Sequence, residues 1–386
     1  MAKTLKAIFA ALAIAALPTI LLWLPFFLRL KSLWHIPLPQ SGMQAIVGNF
    51  DGPLFLVVAK TFYDPGAISQ GFEFPLPSSY YAAHFPAYPA LIKAFAPILG
   101  YPYSMLFVSV AAAALAIYFF NKYISQYVEG KNAFFLTLFF GLFPARWLIV
   151  RSVGSAEPLF MASIIASIYF FQNKKYLWAG VWGAVAQLTK SPGILLFVVY
   201  VLSYFGPNIK EVATTKFVDW FKKVEVLKFL PILLIPLSLL GVFVLFQIRL
   251  GDFLAYFHSG DNIHLFFPPF QIFNYSAPWV GTFWLEEIIF VYLVGALGVS
   301  ILAKRGAPEL FWFTAVFFVS TLFVAHRDVI RYALPLSPFL ILAFSQILIK
   351  KEFKIAFAVI IIPIFLYAMA FISQNVMPIS NWSSFL

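Results

Sequence analysis

The sequence predicts an all-α polytopic membrane protein with about eleven transmembrane helices, and with a long first external loop that carries short interfacial helices. Three observations predict it. Of the 386 residues, 62% are hydrophobic and only 11% are charged, too few charges to cover a soluble globule of this size. Apolar runs of about 17–22 residues recur along the chain, the length that crosses a hydrocarbon core of roughly 30 Å. The charges gather between those runs.

The spans fall at about 7–28, 104–121, 133–150, 157–172, 176–190, 192–206, 229–249, 284–303, 309–325, 333–349 and 355–373. Alternate loops then share a side, and one side holds 16 of the 26 basic residues against six of the 15 acidic ones. By the positive-inside rule that side is cytoplasmic, so the N-terminus lies inside and the C-terminus outside. The net charge of +11 is therefore a topology signal and not a nucleic-acid footprint. No cysteine is present, which excludes disulfides and thiolate chemistry.

Met1 to Leu28 has a basic start and a long apolar run ending at Arg29 and Lys31, without a small-residue cleavage site, and reads as a retained first span. The first external loop, about residues 30–103, is too long to be a mere connector. Asp51 precedes a short apolar helix opened by Pro53, a residue whose missing N–H is harmless in a first turn. A carboxylate there suits an N-terminal cap; it equally suits a catalyst at a membrane boundary. Asp64 to Ala83 is rich in Pro, Gly and Ser and is expected to be irregular. His84 to Phe95 then reads as a second short helix lying along the membrane.

The next external turns each set a charge beside a proline that opens a span. They are Arg151-Ser152-Val153-Gly154-Ser155-Ala156-Glu157-Pro158 and Leu188-Thr189-Lys190-Ser191-Pro192-Gly193. Free N–H groups at such helix starts hold anions. Residues about 207–228 form a charged cytoplasmic connector, read as an interfacial amphipathic helix. A second external loop, about 250–283, carries Asp252, His258, Asp261 and His264 among aromatic residues. The last external hairpin holds His326, Arg327, Asp328 and Arg331. No internal repeat of fixed period is evident.

Phe50-Asp51 with Phe55-Leu56-Val57-Val58-Ala59 and Tyr63, followed by His84-Phe85-Pro86-Ala87-Tyr88-Pro89-Ala90-Leu91, resembles the first-loop signature of the PIG-V-like mannosyltransferases of the GT-C superfamily. Ser155-Ala156-Glu157-Pro158-Leu159-Phe160 resembles that family's "SES-LF" turn, Leu188 to Gly193 its "TR-x-x-G" turn, and Arg331-Tyr332 with Pro335 and Pro338 a late superfamily element. The likeness covers about residues 49–197 and, loosely, 326–340. Phe50 stands where the family commonly has Trp, and Lys190 where it has Arg.

The resemblance implies a membrane glycosyltransferase that moves a sugar, mannose or another hexose, from a polyprenyl-phosphate donor to a glycan, lipid or protein acceptor on the non-cytoplasmic side. Such transfer requires a base for the acceptor hydroxyl and cations for the departing phosphate. Asp51 matches the family's catalytic acid. Arg151, Lys190, Arg327 and Arg331 are the candidate phosphate ligands, with Glu157 and His84 as further substrate ligands. The bland readings are snorkelling for Arg151 and Lys190, a surface ion pair for Arg331, helix-dipole pairing for Glu157 and a structural role for His84. A divalent metal held by Asp51, Glu157 and His84 is the one cofactor these residues would allow, though their spacing carries no metal motif. The alternative function is a transporter or flippase of lipid-linked saccharides, which expects charges in broken helices near the midplane.

Overall fold

The computed structural model describes residues 2–74, 76–206, 226–260, 265–274, 276 and 284–386. They form a helical bundle, with one two-residue antiparallel hairpin, Ser32–Leu33 against Ile36–Pro37, turned by Trp34 and His35 at positive φ. Among the described residues four helices are long and apolar enough to cross a membrane: Thr4–Phe27, Tyr101–Ile124, Leu227–Leu250 and Lys351–Gln374. Other expected spans are shorter helices, among them Glu157–Gln172, Tyr176–Thr189 and Leu195–Phe205. Glu157–Gln172 is apolar all round and buried over most of its length, as a helix packed on several sides must be.

Two expected spans are broken. The run 133–150 divides into Gly130–Leu142 and Ala145–Val150 around Pro144, and the run 333–349 divides at the turns that precede Ser337–Ala343 and Ser345–Leu348. Proline lacks an N–H and pushes its predecessor out of the α region, which accounts for the first break. That break places Arg146, buried, in the first turn of the short second helix. The connector about 207–228 falls almost entirely outside the described residues, as do Asp261 and His264.

The first external loop is more regular than its composition implies. Asp64 to Ala83 contains the helix Pro65–Gly71 and a 3-10 helix, Ser78–Ala83. The Asp64 carboxylate accepts the Ala67 N–H at 2.8 Å and Pro65 takes the first turn, so the residues that signalled a loop instead start a helix. The expected helix after His84 runs Ala87–Leu99. The chain's last segment returns across this loop: the Met377 N–H donates to the Gly48 carbonyl at 2.7 Å, and Lys60 Nζ donates to the Ser384 carbonyl at 2.7 Å.

The helix Gly52–Thr61 is buried along nearly its whole length, and two glycines let it lie deep. A Cβ on Gly52 would stand 2.5 Å from the Val47 carbonyl oxygen, and one on Gly154 would stand 3.1 Å from Gly52 Cα. Backbone thus touches backbone between the Asp51 turn and the Arg151–Glu157 turn. Gly52→Ala should lower the melting temperature in detergent by an amount equivalent to about 1–3 kcal/mol of overpacking. Gly71→Ala, whose Cβ would meet open space, should leave it unchanged or raise it.

Candidate active site

Asp51 occupies the N-cap position of Gly52–Thr61 but makes no capping bond with its side chain. Its Oδ2 instead lies 3.3 Å from Nη2 of Arg331, which settles cap against partner in favour of the partner. Phe50, at φ +48°, presents the turn, and Asn49 anchors it by donating from Nδ2 to the Ile372 carbonyl at 2.8 Å.

Arg331 is the centre of a charge network. Its Nε lies 2.9 Å from Glu157 Oε1 and its Nη1 3.9 Å from Asp328 Oδ2. Burial opposes its charge, but the carboxylates of Glu157, Asp51 and Asp328 outweigh that and hold the guanidinium above its ordinary pKa. Glu157 Oε1 also takes Lys190 Nζ at 2.6 Å, while its Oε2 accepts the Ser155 hydroxyl. Asp328 Oδ1 lies 3.1 Å from Arg146 Nη2. Three carboxylates and three cations from distant parts of the sequence therefore meet at one place. Tyr88, in the Ala87–Leu99 helix, steadies the Glu157 turn: its hydroxyl accepts the Ser155 N–H at 3.0 Å and bonds Ser109 Oγ at 2.6 Å.

These groups line a cavity of about 920 Å³. Asp51, His84, Glu157, Lys190, Arg327 and Arg331 all reach it, from tips that the sequence assigns to one side. His84 is buried, its ring edge-on to Phe55 at 4.9 Å. Arg327 is exposed and makes no ion pair among the described residues. Arg151 departs from expectation. It is fully buried and donates from Nη1 to the Ala15 carbonyl at 2.8 Å, away from the cavity. The adjoining Ser152 carbonyl accepts Trp23 Nε1 at 2.6 Å, so this end of the turn is stapled to the first helix while Glu157 faces the other way. Conversely, sequence reasoning passed over Arg146, although an arginine inside an apolar run is itself a signal of function.

Nor do Asp51, Glu157 and His84 make a metal site: among the described residues no three side chains of His, Asp and Glu group as ligands. The reason is visible at Glu157, whose oxygens are engaged by Lys190, Arg331 and Ser155.

A second cavity of about 430 Å³ joins the first at Lys190, Ser191, Tyr256 and Arg331. Its walls are apolar, with Phe160, Met161, Leu239, Phe243 and Phe317 among them. A charged chamber thus lies against a largely apolar one, with Lys190 and Arg331 in the wall of both.

No family model and no curated protein matches the chain. Solved structures do. ArnT from Cupriavidus metallidurans, bound to undecaprenyl phosphate, matches 89% of this chain and 62% of its own, at 13% identity and a TM-score of 0.53. The archaeal oligosaccharyltransferase AglB from Archaeoglobus fulgidus, in complex with an inhibitory peptide and a dolichol-phosphate, matches 97% of this chain and 57% of its own, at 16% identity and a TM-score of 0.54. The chain has the GT-C fold. It spans 56–62% of the length of the GT-C structures it resembles, and like them it is an integral membrane protein.

Removing Arg331 leaves three facing carboxylates without their shared cation. Arg331→Met should destabilise the protein by about 3–5 kcal/mol, read as a fall in melting temperature. Arg327→Ala, at an exposed site, should stay within about 0.5 kcal/mol of the parent.

Proposed function

We propose that the protein is a membrane glycosyltransferase that takes a hexose, mannose if the sequence resemblance extends to the donor, from a polyprenyl-phosphate carrier. It passes the sugar to an acceptor on the non-cytoplasmic side. The observation that carries this reading is the junction of charged cavity and apolar groove at Lys190 and Arg331. A lipid phosphate has one anionic head and one greasy tail, and the junction serves both. Support also comes from the fold relatives, solved with undecaprenyl phosphate and with a dolichol-phosphate.

In this mechanism Asp51 accepts the proton of the acceptor hydroxyl, whose oxygen attacks the anomeric carbon. The bond from that carbon to the phosphate oxygen breaks, and the electron pair leaves with the phosphate. Lys190 and Arg331 take up the growing negative charge, and Arg327 at the rim adds a cation not already committed to a carboxylate. Glu157 is no base here; it holds Lys190 and Arg331 in place. His84 closes the wall beside Asp51, and Arg151 has no part in binding phosphate. Attack opposite the leaving group inverts the anomeric centre.

Membranes containing the protein should transfer label from a polyprenyl-phosphate hexose to an acceptor fraction. Asp51→Asn, expressed to the same level, should lose about 10²–10⁴-fold in rate. Unchanged transfer by that variant would remove Asp51 from the chemistry.

A further inference from the structure

Arg146 stands outside the chemistry just described, yet it is built into its frame. Its guanidinium lies 4.1 Å from the ring centroid of Phe371. Phe371 stacks on Phe50, centroids 5.3 Å apart at 27°, and Arg331 lies 5.1 Å from the far ring of that pair, Phe50. The order Arg146–Phe371–Phe50–Arg331 is a column of two rings between two cations. Asp328 closes it into a loop, 3.1 Å from Arg146 and 3.9 Å from Arg331. Asp51 follows Phe50 in the chain and meets the last cation of the column.

Asp328 sits much closer to Arg146 than to Arg331, although both guanidinium groups are within reach. Arg146 faces Oδ1 of that carboxylate and Arg331 faces Oδ2, so the two cations share it. This leaves Nη2 of Arg331 to Asp51 and Nε to Glu157. The stack adds a second constraint, because a guanidinium lying on a ring is fixed in plane as well as in position. Arg146 itself is 7% exposed, with Nε and Nη1 buried and unbonded among the described residues. Among the described residues it is thus held by the ring and by Asp328 alone.

We propose that Arg146, through Asp328 and the Phe371–Phe50 stack, is a positioning residue that keeps Arg331 against Asp51. Without it, Asp328 turns wholly to Arg331 and draws the guanidinium from the carboxylate. The inference deepens the glycosyltransferase reading, but its geometric part stands without that reading and can be tested without activity.

The chain's lack of cysteine gives the test. Asp51→Cys places a single thiol where Arg331 now faces a carboxylate. Its pKa is measured in the full-length, detergent-purified protein from the pH dependence of alkylation. The other titratable or charged groups in the same cavity, besides Arg146 and Arg331, are Glu157, Asp328, Lys190, Arg327, His84, His326, Tyr256, Tyr332 and Tyr367. Beside Arg331 the thiol should titrate about one unit below the free value of roughly 8.5. Adding Arg146→Met should return it to that value or above, and adding Phe371→Leu, which keeps every charge, should move it the same way by less. An unchanged midpoint with both substitutions overturns the proposal. Melting curves identify any variant that fails to fold, and the Phe371→Leu pair then decides.

Where transfer is measurable, Arg146→Met should lower kcat about 10–100-fold with the donor KM within about twofold. Arg146→Lys, which lacks the flat fork, should not restore it. Full kcat in Arg146→Met sinks the proposal. Absence of transfer by the parent protein sinks the enzyme reading instead, and leaves the thiol titration to judge the column.

Discussion

The site depends on one guanidinium shared among three carboxylates. Arg331 lies within 4 Å of Asp51, Glu157 and Asp328, groups that in one buried pocket would repel each other strongly. A cation at their centre makes the arrangement tenable, and Lys190 and Arg146 complete the neutralisation. Such a network is stable only while all of its members are present, because a buried charge that loses its partner is costly. In the proposed function it also receives an anion. A phosphate arriving at Lys190 and Arg331 competes with Glu157 and Asp51 for donors already in place, so no new cation need be desolvated.

Much of the remaining fold exists to bring those tips together. The close approach of Gly52 and Gly154 sets the Asp51 turn against the Glu157 turn. Tyr88 ties the Glu157 turn to the Ala87–Leu99 helix, and Arg151 ties its other end to the first helix. The last segment closes over the first loop through Asn49 and Gly48. Arg249 donates from Nε to the Phe62 carbonyl at 2.9 Å and holds that loop from a third direction. The cavity is thus framed by elements that are far apart in the chain and bonded to one another.

The fold class was legible because apolar length and charge placement are long-range signals that survive local irregularity. The Asp51, Glu157, Lys190 and Arg331 positions were legible as charges at tips sharing one predicted side. Direction was not. Arg151 and Glu157 lie in one short turn with equal claims, and only packing sends one to the first helix and the other to the cavity. The break at Pro144 was hidden in a continuous apolar run, which concealed Arg146. Phe371 gave no signal at all, since a phenylalanine in a span looks like any other until its neighbours are known.

The most direct measurement is a structure of the protein with a polyprenyl phosphate bound. The phosphate should lie between Lys190 and Arg331, on the same face as Asp51, with the chain running past Phe243 and Phe317 in the groove. A phosphate seated at the opposite end of the bundle, or a chain lying outside that groove, would contradict the account.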